Sequence, residues 1–432
     1  MAKETKAGRG IVESMISIKD KQRCCGCGAC ASACPRRCIT MEADEEGFLY
    51  PKVDTVSCID CGLCEKVCPF LSEEKAEIPP FHTFAAKNYD DDVRAVSSSG
   101  GLFSLFAEKM IEEGGVVFGA QFDENWNVVH GSATTIEELP KFRGSKYVQS
   151  LIGDSFVRTK EFLKQGKKVL FSGTSCQIMG LKRYLGRDYP NLFTIDVICH
   201  GVPSPAVWKK YLDEIVEVAR KGNKNQFRSL FTSVIPETDT LPAPGTLEGI
   251  SFRDKTFGWR KSSFALYFAK AAAAGEKKQF RSLIANDYRS KYFVAFNNNL
   301  TIRHSCFNCP AKVGRCGSDI TLADFWSIEK ELPDFSDDKG ISICMCNTEK
   351  GINVFNALKM DKREVSYTQA VSHNRAWRIS LPPHPKREKF FKLFAKNGRV
   401  LPNIDRCLEQ PVWQKYVNSI KIRIKRIFSI SK

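Results

Sequence analysis

Eight cysteines near the N-terminus fall into two runs of identical spacing. Cys24, Cys27, Cys30 and Cys34 lead into Pro35, and Cys58, Cys61, Cys64 and Cys68 lead into Pro69, each cysteine 34 positions from its counterpart. A C-x2-C-x2-C-x3-C-P run holds an iron-sulfur cluster through its thiolates, and its fourth cysteine serves the neighbouring cluster. The spacing therefore predicts one 4Fe-4S cluster on Cys24, Cys27, Cys30 and Cys68 and a second on Cys58, Cys61, Cys64 and Cys34. A cubane must be gripped at three corners by a short turning loop, and Gly26, Gly28 and Gly62 permit the backbone angles of such a wrap. Two structural zinc sites or a disulfide framework are the competing readings. Zinc needs only four ligands per site and gives no reason for the repeat.

The elements that position these residues follow from the pattern around them. Residues 38–41 and 48–53 read as short strands about the turn Asp44 to Gly47, a hairpin between the two cysteine loops. The block from about 20 to 70 resembles the two-cluster bacterial ferredoxin domain, with Cys25 and Cys38 as extra cysteines outside the motif. The charged, proline-terminated stretch Leu71 to Pro80 then has the composition of a linker.

At 432 residues the chain has room for two or three domains. Hydrophobic residues at 43% and charged residues at 26% place it among ordinary globular proteins. No run approaches the roughly 18 apolar residues of a membrane-spanning helix. The first residues carry no apolar core ahead of a cleavage site, so the expected location is the cytoplasm. Eighteen cysteines in that compartment point to metal and redox chemistry. The net charge of +16 is scattered and accompanied by no nucleic-acid module, so the expected partners are a redox protein or a small hydride carrier rather than nucleic acid.

Further along, Ser98, Ser99, Gly100 and Gly101 precede a helical pattern of Leu102, Phe103, Leu105, Phe106 and Met110, followed by a strand from Val116. Such a start either caps the helix or offers N-H groups to an anion. The segments KKVLFSGTSCQ and LFTIDVICHGVPSP each read as a strand entering a polar turn, which puts Cys176 and Cys199 at one sheet edge, where α/β sheets hold cofactors. Residues 221 to about 300 predict antiparallel strands. Cys306, Cys309 and Cys316 cluster with metal-like spacing, whereas Cys344 and Cys346 lie in an apolar strand and read as core thiols.

SSSGG, GSKYVQS, VLFSGTSCQ, DVICHGVPSP, SFRDKTFGWR and SCFNC with SDITLADFW are together similar to successive landmarks of the coenzyme F420 hydrogenase/dehydrogenase beta-subunit family. The resemblance implies an α+β chain in which the small two-cluster domain precedes a larger α/β flavin-binding domain with a mixed sheet. The implied organisation is a ferredoxin domain at 18–72, a linker at 73–82, N-terminal and C-terminal family regions at 83–165 and 166–345, and an extension at 346–432. It further implies FAD held by Ser98, Ser99, Gly100, Gly101, Ser145, Lys146 and Tyr147, with Gly173 and Thr174 on the wall, and a third 4Fe-4S cluster. The ligands of that cluster would be Cys199, Cys306 and Cys309 with either Cys176 or Cys316. Ser175 stands where the family commonly has proline.

The expected function is an iron-sulfur flavoprotein oxidoreductase that passes electrons between clusters and a hydride donor or acceptor, with no catalytic side chain specified. The alternative is a non-catalytic relay or accessory subunit docked on another enzyme, including one of polysaccharide biosynthesis. From Trp413 onward, Trp413, Val417, Ile420, Ile424 and Phe428 recur at helical spacing among basic residues, which suggests peripheral membrane contact through the tail, or packing on the protein or on an acidic partner.

Overall fold

The computed structural model describes residues 15–71, 76–221, 230, 233–235, 246–269, 280–286 and 290–408. The basic tail from Trp413 lies outside them. Among the described residues the strands form three sheets.

The N-terminal block folds as a repeat. Strands β1 (Ile39–Ala43) and β2 (Leu49–Val53) pair antiparallel between two short helices, Ala29–Ala33 and Leu63–Lys66. Each helix starts from a glycine in the left-handed region, Gly28 at φ 72° and Gly62 at φ 68°, and Gly26 lies at φ 67°. These are backbone angles that a side chain resists and glycine accepts.

The main body is built on an eight-stranded mixed sheet. Its strands are β3 (His82–Lys87), β4 (Val116–Phe122), β5 (Val128–Ala133), β6 (Val169–Thr174), β7 (Leu192–Val197), β12 (Ile320–Asp324), β13 (Ser342–Cys346) and β14 (Asp361–Glu364), in the order β14-β3-β13-β12-β7-β6-β4-β5. The centre is parallel, β4 with β6, β6 with β7 and β7 with β12, and the flanks are antiparallel. Helices cover both faces of the centre, so its strands are buried on both sides and read as apolar runs. Val169, Leu170 and Phe171 are all fully buried, as are Ile343, Cys344, Met345 and Cys346. The flanking strand β14, Asp-Lys-Arg-Glu, is charged, as suits an unpaired edge.

The second sheet is antiparallel, as expected for the 221–300 stretch, in the order β8 (Ser233–Ile235), β11 (Phe280–Asn286), β10 (Ser263–Ala269), β9 (Thr246–Asp254). It packs through Phe252 and Phe264 on Trp208 and Tyr211 of the helix Pro205–Lys221 and on Tyr292 of the helix Lys291–Asn297. Each of those large side chains contributes about 1.5–3 kcal/mol by leaving water.

Two expected boundaries look different in three dimensions. The described end of the linker is tied down, because Ile78 N donates to Val313 O at 3.1 Å and Tyr367 Oη to Glu77 Oε1 at 3.2 Å. The segment after 345 is no appendage. A boundary there would cut β13, β14 completes the large sheet, and Phe390, Phe391 and Phe394 of the helix Arg387–Asn397 join the main aromatic core beside Phe48.

That helix also locks the cysteine-rich repeat onto the body. Arg387 grips Glu46, in the hairpin turn, through both nitrogens, with Nη1 to Oε1 at 2.9 Å, and it donates through Nε to Ile302 O. His304 Nε2 stands 3.4 Å from the same carboxylate. Burial alone would raise the Glu46 pKa, but hydrogen bonds from His304 and Arg387 and the Arg387 charge outweigh it and hold the carboxyl down to about 2. Its contribution to stability is thus fully present above the ordinary glutamate range and is lost as pH falls from there through about 2. Removing one partner of a buried pair costs about 3–5 kcal/mol. Glu46→Gln is accordingly expected to lower the stability of the anaerobically purified protein by about 3 kcal/mol, read from the chemical-unfolding midpoint. An unchanged midpoint would show that the pair does not hold the junction.

Candidate iron-sulfur and cofactor site

Three cavities are lined by cysteines. One, in the repeat, is bordered by Cys24, Cys27, Cys30 and Cys68, and another by Cys34, Cys58, Cys61 and Cys64. The two groups are crossed, each taking its fourth cysteine from the other run. Among the described residues no three of His, Cys, Asp or Glu converge on a point as a single metal ion requires. The sulfurs border a space instead, which suits a cubane with one thiolate at each iron. Cys25 and Cys38 do not stand apart from these groups. Cys25 borders the first cavity, and Cys38 borders the second with its sulfur 3.3 Å from that of Cys34.

The third cavity lies at the carboxyl edge of the parallel strands and is bordered by Cys176, Cys199, Cys306 and Cys309, together with Cys25, Arg303 and Lys312. Parallel pairing sets the first two. β6 and β7 are in register through Thr174 opposite Val197, so Cys176 and Cys199 follow two adjacent strand ends. The helix Ser175–Leu185 begins with a capping box between Thr174 and Gln177, which holds Cys176 in its first turn. The other pair comes from the 3-10 turn His304–Asn308, held against the Cys199 loop by the Pro203–Ile302 bridge and by Arg303 N donating to Val202 O at 3.0 Å.

The thiols of this cavity are held in their neutral form. Burial pushes Cys199 up to about 12 and Cys309 up to about 11, and it raises Cys306 well above the ordinary thiol value. Cys176 is raised too, first by its hydrogen bond with Cys25 and then by burial. Buried and mutually repelling, such thiols ionise only when a metal compensates the charge. Lys312 supplies a nearby positive charge and donates through Nζ to Cys199 O at 3.2 Å.

Cys316 is not among the lining residues. Its thiol donates to Asp196 Oδ2 at 3.4 Å. Asp196 is a wholly buried carboxylate that also accepts from Ser175 Oγ at 2.6 Å, Ser318 Oγ at 2.7 Å and Thr321 Oγ1 at 2.6 Å. Burial raises its pKa, against the pull of those donors. Of the two alternatives for a fourth ligand, the geometry therefore favours Cys176.

The residues expected around a flavin are distributed along the same carboxyl edge. Ser98 and Ser145 meet, with Ser145 N donating to Ser98 Oγ at 2.7 Å. Ser99 Oγ donates to Ile341 O at 2.8 Å, and Gly100 N donates to Ser342 Oγ at 3.0 Å. Gly101, in the left-handed conformation, starts the helix Leu102–Glu112 with no side-chain cap. Lys146 faces inward, donating to the carbonyls of Lys141, Arg143 and Gly144, and burial lowers its pKa to about 7. Tyr147 packs edge-on against Phe252, Phe293 and Phe296. Gly173 lies against Gln177 and His130, and Thr174 borders the third cysteine cavity.

Sequence spacing did not single out the basic residues that complete this edge. Lys255 Nζ ties Arg94 O, Ser99 O and Lys339 O together, and burial lowers it to about 7. Arg253 pairs with Asp324 at 3.1 Å and lies over the Trp326 ring at 4.9 Å. SFRDK, which contains both, carried the family resemblance but no site signal by spacing.

The crossed groups of cysteines and the mixed sheet fit an iron-sulfur protein of oxidoreductase type, as the family matches bear out. The 4Fe-4S dicluster domain model matches residues 23–71, the N-terminal model for the coenzyme F420 hydrogenase/dehydrogenase beta subunit matches 83–155, and the model for its C terminus matches 166–370. The chain belongs to the coenzyme F420 hydrogenase/dehydrogenase beta-subunit family and carries an N-terminal dicluster domain. No curated protein matches it. Among solved structures it is similar to a chain of the F420-reducing [NiFe] hydrogenase complex from Methanosarcina barkeri, at 17% identity over 81% of this chain and 95% of that one, with a TM-score of 0.40. Among the described residues no helix is long and apolar enough to cross a membrane.

If Cys176, Cys199, Cys306 and Cys309 hold a cluster, Cys306→Ser is expected to lose about four of about twelve irons per chain. Cys316→Ser is expected to keep them all. Anaerobic iron and sulfide assays decide this: loss of iron in Cys316→Ser would make Cys316 the fourth ligand, and full iron content in Cys306→Ser would overturn the cluster.

Proposed function

We propose that the protein is an iron-sulfur flavoprotein oxidoreductase in which three 4Fe-4S clusters and FAD connect a redox partner protein to a hydride-exchanging small molecule. The observation that carries this reading is the continuity of the cysteine cavities. Cys25 borders both the first cavity of the repeat and the third cavity, and the third opens at the carboxyl edge where α/β sheets hold cofactors. Clusters supply single-electron steps and a flavin converts them to hydride chemistry, while the protein supplies orientation and electrostatics.

The residues have separable tasks. Twelve of the lining cysteines would hold the clusters: Cys24, Cys27, Cys30 and Cys68; Cys34, Cys58, Cys61 and Cys64; Cys176, Cys199, Cys306 and Cys309. At the flavin end, the uncapped first turn after Gly101 suits an anionic, phosphate-bearing ligand, and Lys255, its ammonium satisfied by three carbonyls, ties together the loops around it. The internal bonds of Lys146 give it the task of shaping the loop 141–146 rather than contacting a phosphate. At the far end, Cys61 is exposed, Ile59 at the second cavity presents 59% of its surface, and Val56, three residues earlier in the chain, presents 93%. That apolar rim is where a redox protein would approach.

Flavin analysis of the full-length protein, purified anaerobically and supplied with FAD, tests the reading. About one FAD per chain is expected, with its visible absorption bleaching when the clusters are reduced. Protein that carries clusters and retains no flavin would instead be a relay docked on a separate enzyme.

A further inference from the structure

Arg303 is the one arginine with 0% exposure among the described residues, and it stands between two cysteine cavities. On one side its Nε donates to Cys24 O at 2.8 Å and its Nη2 approaches Cys24 Sγ at 3.6 Å. On the other it borders the cavity of Cys176, Cys199, Cys306 and Cys309. Its remaining donors are fixed by Leu49 O at 2.9 Å and Gln149 Oε1 at 3.0 Å, and Gln149 in turn donates to Cys25 O at 3.0 Å. The guanidinium lies over the Tyr50 ring at 4.2 Å and within 5.4 Å of Phe48. No carboxylate takes part in this set of contacts.

A charge without a carboxylate partner in a wholly buried place is costly unless something anionic compensates it. The nearest groups that become anionic are the thiolates of the two cavities. The same place is where the cavities come closest, since Cys25 borders both and its thiol hydrogen-bonds with Cys176. Packing keeps the place tight from the other direction. A Cβ on Gly180, in the helix that starts at Ser175, would stand 2.8 Å from Cys27 Sγ.

We propose that Arg303 is a redox-positioning residue, a buried cation shared by the two cysteine cavities it separates, which raises the reduction potential of the cluster on each side. This rests on the three-cluster reading above. The physical reason is that reduction adds negative charge, and a fixed positive charge in a low-dielectric place favours the state with more of it. The cavity of Cys34, Cys58, Cys61 and Cys64 does not border Arg303 and provides an internal reference.

The experiment is a potentiometric titration of the full-length, anaerobically reconstituted protein followed by electron paramagnetic resonance. Arg303→Gln is expected to lower the midpoints of the two flanking clusters by tenfold in equilibrium constant, about 59 mV for a one-electron couple, and to leave the midpoint of the cluster of Cys34, Cys58, Cys61 and Cys64 in place. Arg303→Lys, which keeps the charge, is expected to stay near the wild type. Gln149→Glu is nearly isosteric and offsets the charge without emptying the site, so it is expected to lower the same two midpoints and guards against misassembly of Arg303→Gln. Flanking midpoints unmoved in Gln149→Glu, or moved equally by Arg303→Lys and Arg303→Gln, overturn the proposal while the clusters stand. Wild-type protein holding only about eight irons overturns the three-cluster reading and the proposal with it.

Discussion

The structure depends on burying the cysteine-rich repeat against the sheet. A small domain with few apolar residues cannot form much of a core alone, and here the body provides one. Phe48 of the hairpin enters the main aromatic cluster, Arg387 grips Glu46, and Arg303 reaches back to the carbonyl and sulfur of Cys24. The helix Ser175–Leu185 lies so close to Cys27 that only glycine fits at 180. The repeat is therefore held in fixed relation to the carboxyl edge of the parallel strands. For a protein that moves electrons this rigidity is functional, because a cofactor line works only if its members keep their spacing.

That edge gathers distant parts of the chain because of strand order. β6 and β7 lie side by side and deliver Cys176 and Cys199, while the 3-10 turn after Ile302 returns Cys306 and Cys309 to the same place. On the other side, Lys255 pins the loop of Ser99 to that of Lys339. The buried carboxylate Asp196 organises the floor beneath, collecting Ser175, Ser318, Thr321 and Cys316. Its donors explain why a cysteine with metal-like spacing stands outside the cavity.

Much of this was legible in the sequence. The grouping of the two cysteine runs follows their spacing, three thiols of each group coming from one local loop and the fourth from the other run. Apolar runs at Val169 and Leu192 announced central strands, and their polar endings announced the edge on which Cys176 and Cys199 meet. Other features were not legible, because they depend on contacts between residues far apart. Nothing local marks Arg303, whose partners are some 150 to 280 positions away, or Glu46 and Arg387, which are 341 apart. Cys25 looked like a bystander because it lies outside the repeat, and only the docking of the repeat puts it between two cavities. Lys146 sits in a motif that resembles a ligand loop, yet its ammonium satisfies three carbonyls of that loop.

The central claim is that three rings of four cysteines each hold a cluster and line up from the exposed rim at Val56 to the sheet edge. Anomalous scattering at the iron absorption edge from anaerobically grown crystals tests it most directly. The account predicts three iron sites, one inside each ring, the third bounded by Cys176, Cys199, Cys306 and Cys309 with none beside Cys316. An empty third ring, or scattering at the zinc edge in place of iron, would contradict it.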